Sequence, residues 1–360
     1  MKIKSVEIKH YCRNFIKPLI TSRGKVFERA GYVIRLTTDD GIIGLGEAAP
    51  LIGFSPDSLD QTGESLFKAE GRLIEQTVPD TLKQISSVVT GLISRTNPAA
   101  RFGLETALAD LAAQKANLPL NLWLYDKAQP EVKVNFLLSR PVEDWESLRR
   151  QIINSGYEAI KIKVGGDIDD DVDFVRQVRQ NLGERVALRL DANGGWSYAV
   201  AEDAMWRLKN VDIKYIEEPH ETFDPVRVRD LRRVTGARVA LDESLYSPYE
   251  IETLITGGVC DVFIFKPALL GGIFRTIELA ALAKQNNRQV VLTSTLETEI
   301  CLAAQLHLSS VPEFAGSICG LDTLRLFEKP DQALSDVSGG TIKIPVNTGL
   351  GIDRDIWNRV

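Results

Sequence analysis

Apolar residues fall into two rhythms along this chain. Over the first fifty positions they alternate with polar ones, so "MKIKSVEIKHY" and "AGYVIRLTTDDGIIGLGEAAP" read as antiparallel strands, with Asp39-Asp40-Gly41 as a tight hairpin turn. The polar stretch "ITSRGKVFER" between them predicts a mobile hairpin tip, and Thr21, Ser22, Arg23 and Gly24 are the candidate lid. Helical patterns follow at roughly 57–76 and 79–94, the first opening at Ser55-Pro56-Asp57. After the break at Asn97-Pro98, "PAARFGLETALADLAAQKAN" has apolar residues at 104, 108 and 111, which predicts an amphipathic helix.

From about residue 132 short apolar runs recur, "VKVNFLL", "AIKIKV", "VALRLDAN", "KYIEEP", "VALDES", "VFIFKP", "QVVLTST" and "ICGLDT", with helical patterns between most of them. Strand and helix repeated seven or eight times predict an α/β domain around a parallel sheet, and this spacing suits a closed TIM-type (β/α) barrel. An open dinucleotide-binding sheet is disfavoured, because no GxGxxG follows an early strand. Near the end, "GGTIKIPVNTGLGI" alternates again and is expected to return to the N-terminal sheet. The expected organisation is an α+β domain over 1–125, a barrel over 126–325, and a C-terminal segment, 326–360, that completes the first domain.

Composition changes this picture little. The 360 residues are 44% hydrophobic and 26% charged with a net charge of -6, which describes a globular protein and argues against a nucleic-acid partner. No apolar run is long enough for a membrane span, and Cys12, Cys260, Cys301 and Cys319 are scattered. Reduced thiols in a cytoplasmic protein are therefore expected.

The chemistry gathers where barrel enzymes keep it, at the C-terminal ends of the strands. Asp191, Glu217 and Asp242 end three consecutive strands, each about one βα unit from the next. Adjacent strands lie about 4.8 Å apart, so three carboxylates at one height can close on a hard cation such as Mg²⁺. Lys161 and Lys163, on the second strand, and Lys266, after the sixth, flank the acids. A metal and amines around one small-molecule carboxylate suit removal of a proton from the carbon beside that carboxylate. A free lysine titrates near 10.4 and is a poor base, so Lys161 is expected to favour the neutral form of Lys163 by crowding it with charge. Arg189, Asn193, Ser294, Thr295 and Gly320 are candidate substrate contacts. Two other readings of these residues are a Schiff-base aldolase barrel and a metabolite-binding barrel without turnover.

The ordered set "KIK", "LRLDAN", "IEEP", "LDES" and "FKP", with "GLGEAAPL" and "FGLETALADL" before it, resembles the enolase superfamily in its muconate-lactonizing enzyme subgroup. The resemblance implies a capping domain over a modified barrel. It also implies Mg²⁺, with Mn²⁺ able to substitute, on Asp191, Glu217 and Asp242, with Glu218 behind the ligands. A histidine base at the seventh strand, as in the mandelate-racemase branch, is missing, since that segment reads "LTSTLET". His220 is expected to be a packed or solvated ring. "GEAAPLIGFSPDSL" and "GLDTLRLF" resemble the o-succinylbenzoate synthases, whereas dipeptide epimerases usually carry a D-x-D where this chain has Gly320-Leu321-Asp322. The implied reaction is dehydration of 2-succinyl-6-hydroxy-2,4-cyclohexadiene-1-carboxylate to 2-succinylbenzoate in menaquinone or phylloquinone synthesis. Lys163 would be the base and Lys266 the enolate-stabilising ammonium. The alternative on the same scaffold is an N-succinylamino acid racemase or dipeptide epimerase.

Overall fold

The computed structural model describes residues 1–21, 24–138, 140–246, 250–328 and 330–359. An N-terminal capping domain begins with an antiparallel sheet of β1 (Ile3–Thr21), β2 (Gly24–Thr38) and β3 (Ile43–Ala48) in that order. The Asp39-Asp40-Gly41 turn joins the last two strands, with Gly41 at φ 84°, where a side chain would be strained. The first two strands stay paired out to Thr21 and Gly24, where a longer unpaired tip was expected. Of the candidate lid, Ser22 and Arg23 lie outside the described residues.

Three helices follow: α1 (Leu59–Leu73), α2 (Leu82–Leu92) and α3 (Pro98–Lys115). Capping boxes Ser58/Gln61 and Thr81/Gln84 start the first two. The expectation of an amphipathic α3 is overturned, because every residue from Pro98 to Ala113 is buried. The reason is a close approach of backbones: a Cβ on Gly46 of β3 would lie 1.9 Å from the Gly103 carbonyl oxygen. With sheet on one side, α3 meets the barrel on another, where Arg101 donates to the Gly271 carbonyl at 3.3 Å.

The barrel sheet holds seven parallel strands in sequence order. They are β5 (Phe136–Leu138), β6 (Ala159–Lys163), β7 (Ala187–Asp191), β8 (Ile213–Glu217), β9 (Val239–Leu241), β10 (Val262–Phe265) and β11 (Gln289–Leu292). The eighth run, "ICGLDT", forms no regular strand but closes the ring. Gly320 N–H donates to the Leu292 carbonyl at 2.9 Å on one side, and Asn135 N–H to the Cys319 carbonyl at 2.9 Å on the other. Inside the barrel, Tyr215, Ala240, Val262, Ile264 and Val291 pack as their own apolar cluster, as alternation along buried parallel strands requires. No described helix is long and apolar enough to cross a membrane.

The C-terminal strand departs from expectation. β12 (Thr341–Lys343) pairs with β4 (Glu131–Lys133), just before the first barrel strand, and not with the N-terminal sheet. The segment reaches the capping domain on either side of β12. Before it, Phe327 stacks on Phe15 of β1. Beyond it, the contacts are an Arg354–Asp110 ion pair and Trp357, whose ring lies 4.6 Å under the Arg35 guanidinium.

His307, fully buried in the helix Glu299–Ser309, ties this closure together. Its Nδ1 accepts from Asn121 N–H at 3.1 Å, and its Nε2 donates to the Leu350 carbonyl at 3.1 Å. Burial lowers its pKa from 6.5 to about 4. A depressed folded-state value makes the contribution complete above about pH 6.5 and lost as pH falls through 4, a total of roughly 3 kcal/mol. Urea unfolding at pH 7 and pH 4 is expected to show this acid loss in the wild type, and a smaller loss in His307→Asn. Equal losses in both would contradict the assignment.

Candidate active site

Parallel register assembles the site. Lys163 stands beside Asp191, and Asp191 beside Glu217, at the ends of adjacent strands, while Asp242 and Lys266 directly follow β9 and β10. All three carboxylates are buried. Lys161 Nζ bridges Asp191 at 2.8 Å and Glu217 at 2.7 Å, Lys163 Nζ meets the same Asp191 oxygen at 2.6 Å, and Lys266 Nζ meets Asp242 at 2.5 Å. The side chains of Lys161 and Lys266 are only 15% and 13% exposed, against 40% for Lys163.

Desolvation opposes the charges, and the partners overcome it. Burial favours neutral Lys161, but the fields of Asp191, Glu217 and Asp242 hold its ammonium well above the ordinary lysine range. Lys266 is likewise raised, against burial, chiefly by Asp242 and Glu243. Asp191 sits well below the carboxylate range in spite of burial, because two ammonium groups face it. Burial and then the charge of Asp191 push Glu217 up. Lys161 and Lys163 thus share one Asp191 oxygen, which places their two amines side by side.

Neighbouring residues fix these groups. Glu218, which burial and the nearby Glu243 push up to about 8, accepts from the backbone N–H groups of Asp242 at 2.7 Å and Ser244 at 2.8 Å. It stands behind Asp242, as the resemblance implies. Asn193 accepts from Lys163 Nζ at 2.6 Å and donates to Glu243 at 2.8 Å. His220 packs tilted on Tyr198, with ring centroids 5.4 Å apart.

Lys161, Lys163, Lys266, Asp191 and Asp242 line one cavity of about 150 Å³, with the predicted contacts Asn193, Ser294, Thr295 and Gly320 on its wall. Glu217 lies just behind, against Lys161. Arg189 is a correction. It shares the inner face of β7 with Asp191 but sits two residues lower, about 7 Å down the strand. There it does not line the cavity, and its guanidinium donates to the wall residue Asn135 at 3.1 Å and to the Ile318 carbonyl at 2.7 Å. Glu243 and Asp322, polar strand-end residues, also line it, and the rest of the wall escaped the sequence reading: Leu51 and Phe54 from the capping domain, and Asn135, Leu137, Thr293, Leu296 and Thr323 from the barrel. Of these, Asn135 carried a signal, being polar within the apolar run "VKVNFLL". Asp322 accepts from Tyr157 at 2.8 Å and Arg325 at 2.7 Å, and its other oxygen is buried without a partner.

Among the described residues, no three acidic, histidine or cysteine side chains form a ready metal cage, because each of the three acids is turned onto an ammonium group. The donor set still fits a hard divalent cation. All the candidate ligand atoms are carboxylate oxygens, Asp242 Oδ1 is buried with no partner among the described residues, and the repulsion from Asp191 and Asp242 that adds to burial in raising Glu217 is what such a cation relieves.

The family profile described as "Enolase C-terminal domain-like" matches residues 144–358, and one described as "MenC, N-terminal domain" matches residues 3–111. A D-Ala-D/L-Ala epimerase of Cytophaga hutchinsonii is 29% identical over 361 residues, covering 98% of this chain and 95% of that protein. An o-succinylbenzoate synthase of Bacillus subtilis is 28% identical over 372 residues, covering 100% of this chain and 96% of that protein. A crystal structure of a dipeptide epimerase from Cytophaga hutchinsonii, complexed with Mg and the dipeptide D-Ala-L-Val, superposes with a TM-score of 0.83. It is 26% identical and covers 100% of this chain and 98% of that one. With the lysine, acid and lysine motifs in this order around one barrel mouth, the chain belongs to the enolase superfamily, in its muconate-lactonizing enzyme subgroup.

Proposed function

We propose that the protein is an o-succinylbenzoate synthase, converting 2-succinyl-6-hydroxy-2,4-cyclohexadiene-1-carboxylate to 2-succinylbenzoate for menaquinone or phylloquinone synthesis. The observation that carries this reading is the cavity wall at the eighth barrel segment. Gly320 offers no side chain there, and Tyr157 and Arg325 both hold one oxygen of Asp322, so a single acid meets the cavity at this segment. Among the described residues that segment carries one acid and not a pair to receive a peptide's ammonium group, while Leu51, Phe54, Leu137 and Leu296 offer a carbocyclic ring apolar surface. The MenC N-terminal match and the Bacillus subtilis relative support the reading.

In this proposal Lys163 removes the proton from the ring carbon that bears the carboxylate. The ammonium group of Lys266 faces the negative charge that develops, and both groups reach the cavity from opposite strands. The ring C–O bond then breaks, and the proton held by Lys163 leaves with the hydroxide as water, so the ring becomes aromatic. Mg²⁺, or Mn²⁺ in its place, held by Asp191, Glu217 and Asp242, would supply positive charge to the substrate carboxylate.

The test is direct. Protein with Mg²⁺ and the cyclohexadiene acid should produce the ultraviolet absorbance of the aromatic product, and EDTA should abolish it; no conversion would reject the reading. Gly320→Asp should lower kcat/KM. A Cβ there would meet Thr293 Cγ2 at 2.8 Å, and a new carboxylate would face an anionic substrate. Like-charge juxtaposition costs several kcal/mol, so a fall of about 100-fold is expected. An unimpaired variant would remove the argument from the eighth-segment wall.

A second reading, racemisation of N-succinylamino acids or epimerisation of dipeptides, is favoured by two lysines reaching one cavity and by the Cytophaga hutchinsonii relative. Deuterium wash-in at the α-carbon of such compounds, faster than dehydration of the cyclohexadiene acid, would establish it instead.

A further inference from the structure

Two segments from different domains supply much of the cavity's apolar wall. Residues 49–56, after β3, contribute Leu51 and Phe54; residues 293–298, after β11, contribute Leu296. Both are irregular backbone, and Leu296 stands at φ 64°, a conformation that a non-glycine residue keeps only when its surroundings impose it.

Within its segment, Leu296 N–H donates to Ser294 Oγ at 3.2 Å and Thr295 N–H to Glu297 at 2.7 Å. Two groups of the capping sheet, behind the wall, hold the residues on either side of Leu296. Arg29 of β2 is 2% exposed, and its hydrogen bonds go to backbone carbonyls. Its Nη1 donates to Pro50 at 2.7 Å, its Nη2 to Ala49, and its Nε to Thr295 at 3.2 Å. One planar fork therefore joins both segments, a task an ammonium group cannot perform. Glu47 of β3 is fully buried, and it accepts from Thr298 N–H at 2.9 Å and Cys301 N–H at 3.0 Å. It also accepts from the Thr298 hydroxyl at 2.8 Å and from the Tyr11 hydroxyl. Thr298 makes no side-chain cap of its own for the helix Glu299–Ser309. The carboxylate from the capping sheet fills that role, where the helix dipole also favours it. Neither Arg29 nor Glu47 lines the cavity.

We propose that Arg29 and Glu47 are positioning residues that determine specificity: from the capping sheet they lock Leu296 against the Leu51–Phe54 segment and so set the apolar wall that meets the substrate ring. The assignment of that wall to substrate rests on the functional reading above; the locking itself does not.

Hydrogen–deuterium exchange on the full chain with Mg²⁺ tests the locking. Glu47→Gln presents a donor to a site filled with donors, and Arg29→Lys keeps the charge but loses the fork. Each should raise exchange of the amides at 295–301 at least tenfold, with the barrel strands unchanged. In the dehydration assay each should raise KM at least fivefold while kcat stays within about twofold. Leu296→Ala should raise KM alone and add nothing to Arg29→Lys. A purely structural role would lower the melting temperature without that split. Unchanged exchange in Arg29→Lys, or KM effects that simply add, would overturn the proposal. A wild type inert toward the cyclohexadiene acid would instead overturn the functional reading, and exchange would still decide the locking.

Discussion

Lys163→Ala is expected to lower kcat for the dehydration by about 10²–10⁴-fold, the range that a positioned general base contributes. The side chain has a neighbour on each side, Asp191 and Asn193, and it is the most exposed of the three site lysines. Its amine is thus the one best placed to meet a substrate entering the cavity. Lys163→Arg separates base from charge, since a guanidinium stays protonated and cannot accept the proton. It should be as inactive as the alanine variant. The checking measurement is single-turnover ultraviolet kinetics at saturating Mg²⁺, which reads the chemical step without product release. Near-normal turnover in either variant would remove Lys163 from the mechanism.

Asp242→Asn carries the second large effect. Asp242 is the carboxylate that pairs with Lys266, and its other oxygen is buried without a partner. The substitution keeps the shape, removes one anionic donor, and leaves the Lys266 ammonium group without its nearest counter-charge. Loss of a group that only supports a metal ligand costs about 10–100-fold in metal affinity, so removing an anionic ligand should cost at least about 10²-fold in Mg²⁺ affinity and nearly all activity. Calorimetric titration with Mg²⁺ measures the first and the ultraviolet assay the second. Retained affinity with lost activity would leave Asp242 a counter-ion for Lys266 and no more.

The sequence was most legible where a strand ended in a charge. Alternation placed Lys161, Lys163, Asp191 and Glu217 on inner faces, and a closed barrel leaves inner-face charges only the mouth as a destination. Depth along the strand was harder. Arg189 obeys the same alternation as Asp191, yet two residues lower it does not line the cavity and is held by the wall residue Asn135 and the Ile318 carbonyl. Leu51, Phe54 and Leu296 could not be found at all, because an apolar loop residue looks the same in sequence whether it faces a cavity or packs elsewhere. The misjudged α3 did carry a signal, the small residues Ala99, Ala100, Gly103, Ala107, Ala109, Ala112 and Ala113 around its circumference, which let backbone approach on every side. The partner of β12 was not legible, since three residues alternate equally well against any open strand edge.

The measurement that bears most directly on the central claim is a crystal structure of the protein with Mg²⁺ and 2-succinylbenzoate. The account predicts one ion about 2.0–2.1 Å from oxygens of Asp191, Glu217 and Asp242, with the product's carboxylate beside it and the amines of Lys163 and Lys266 on opposite faces of the ring. An ion bound elsewhere, or both lysines still paired with the acids and away from the ligand, would contradict it.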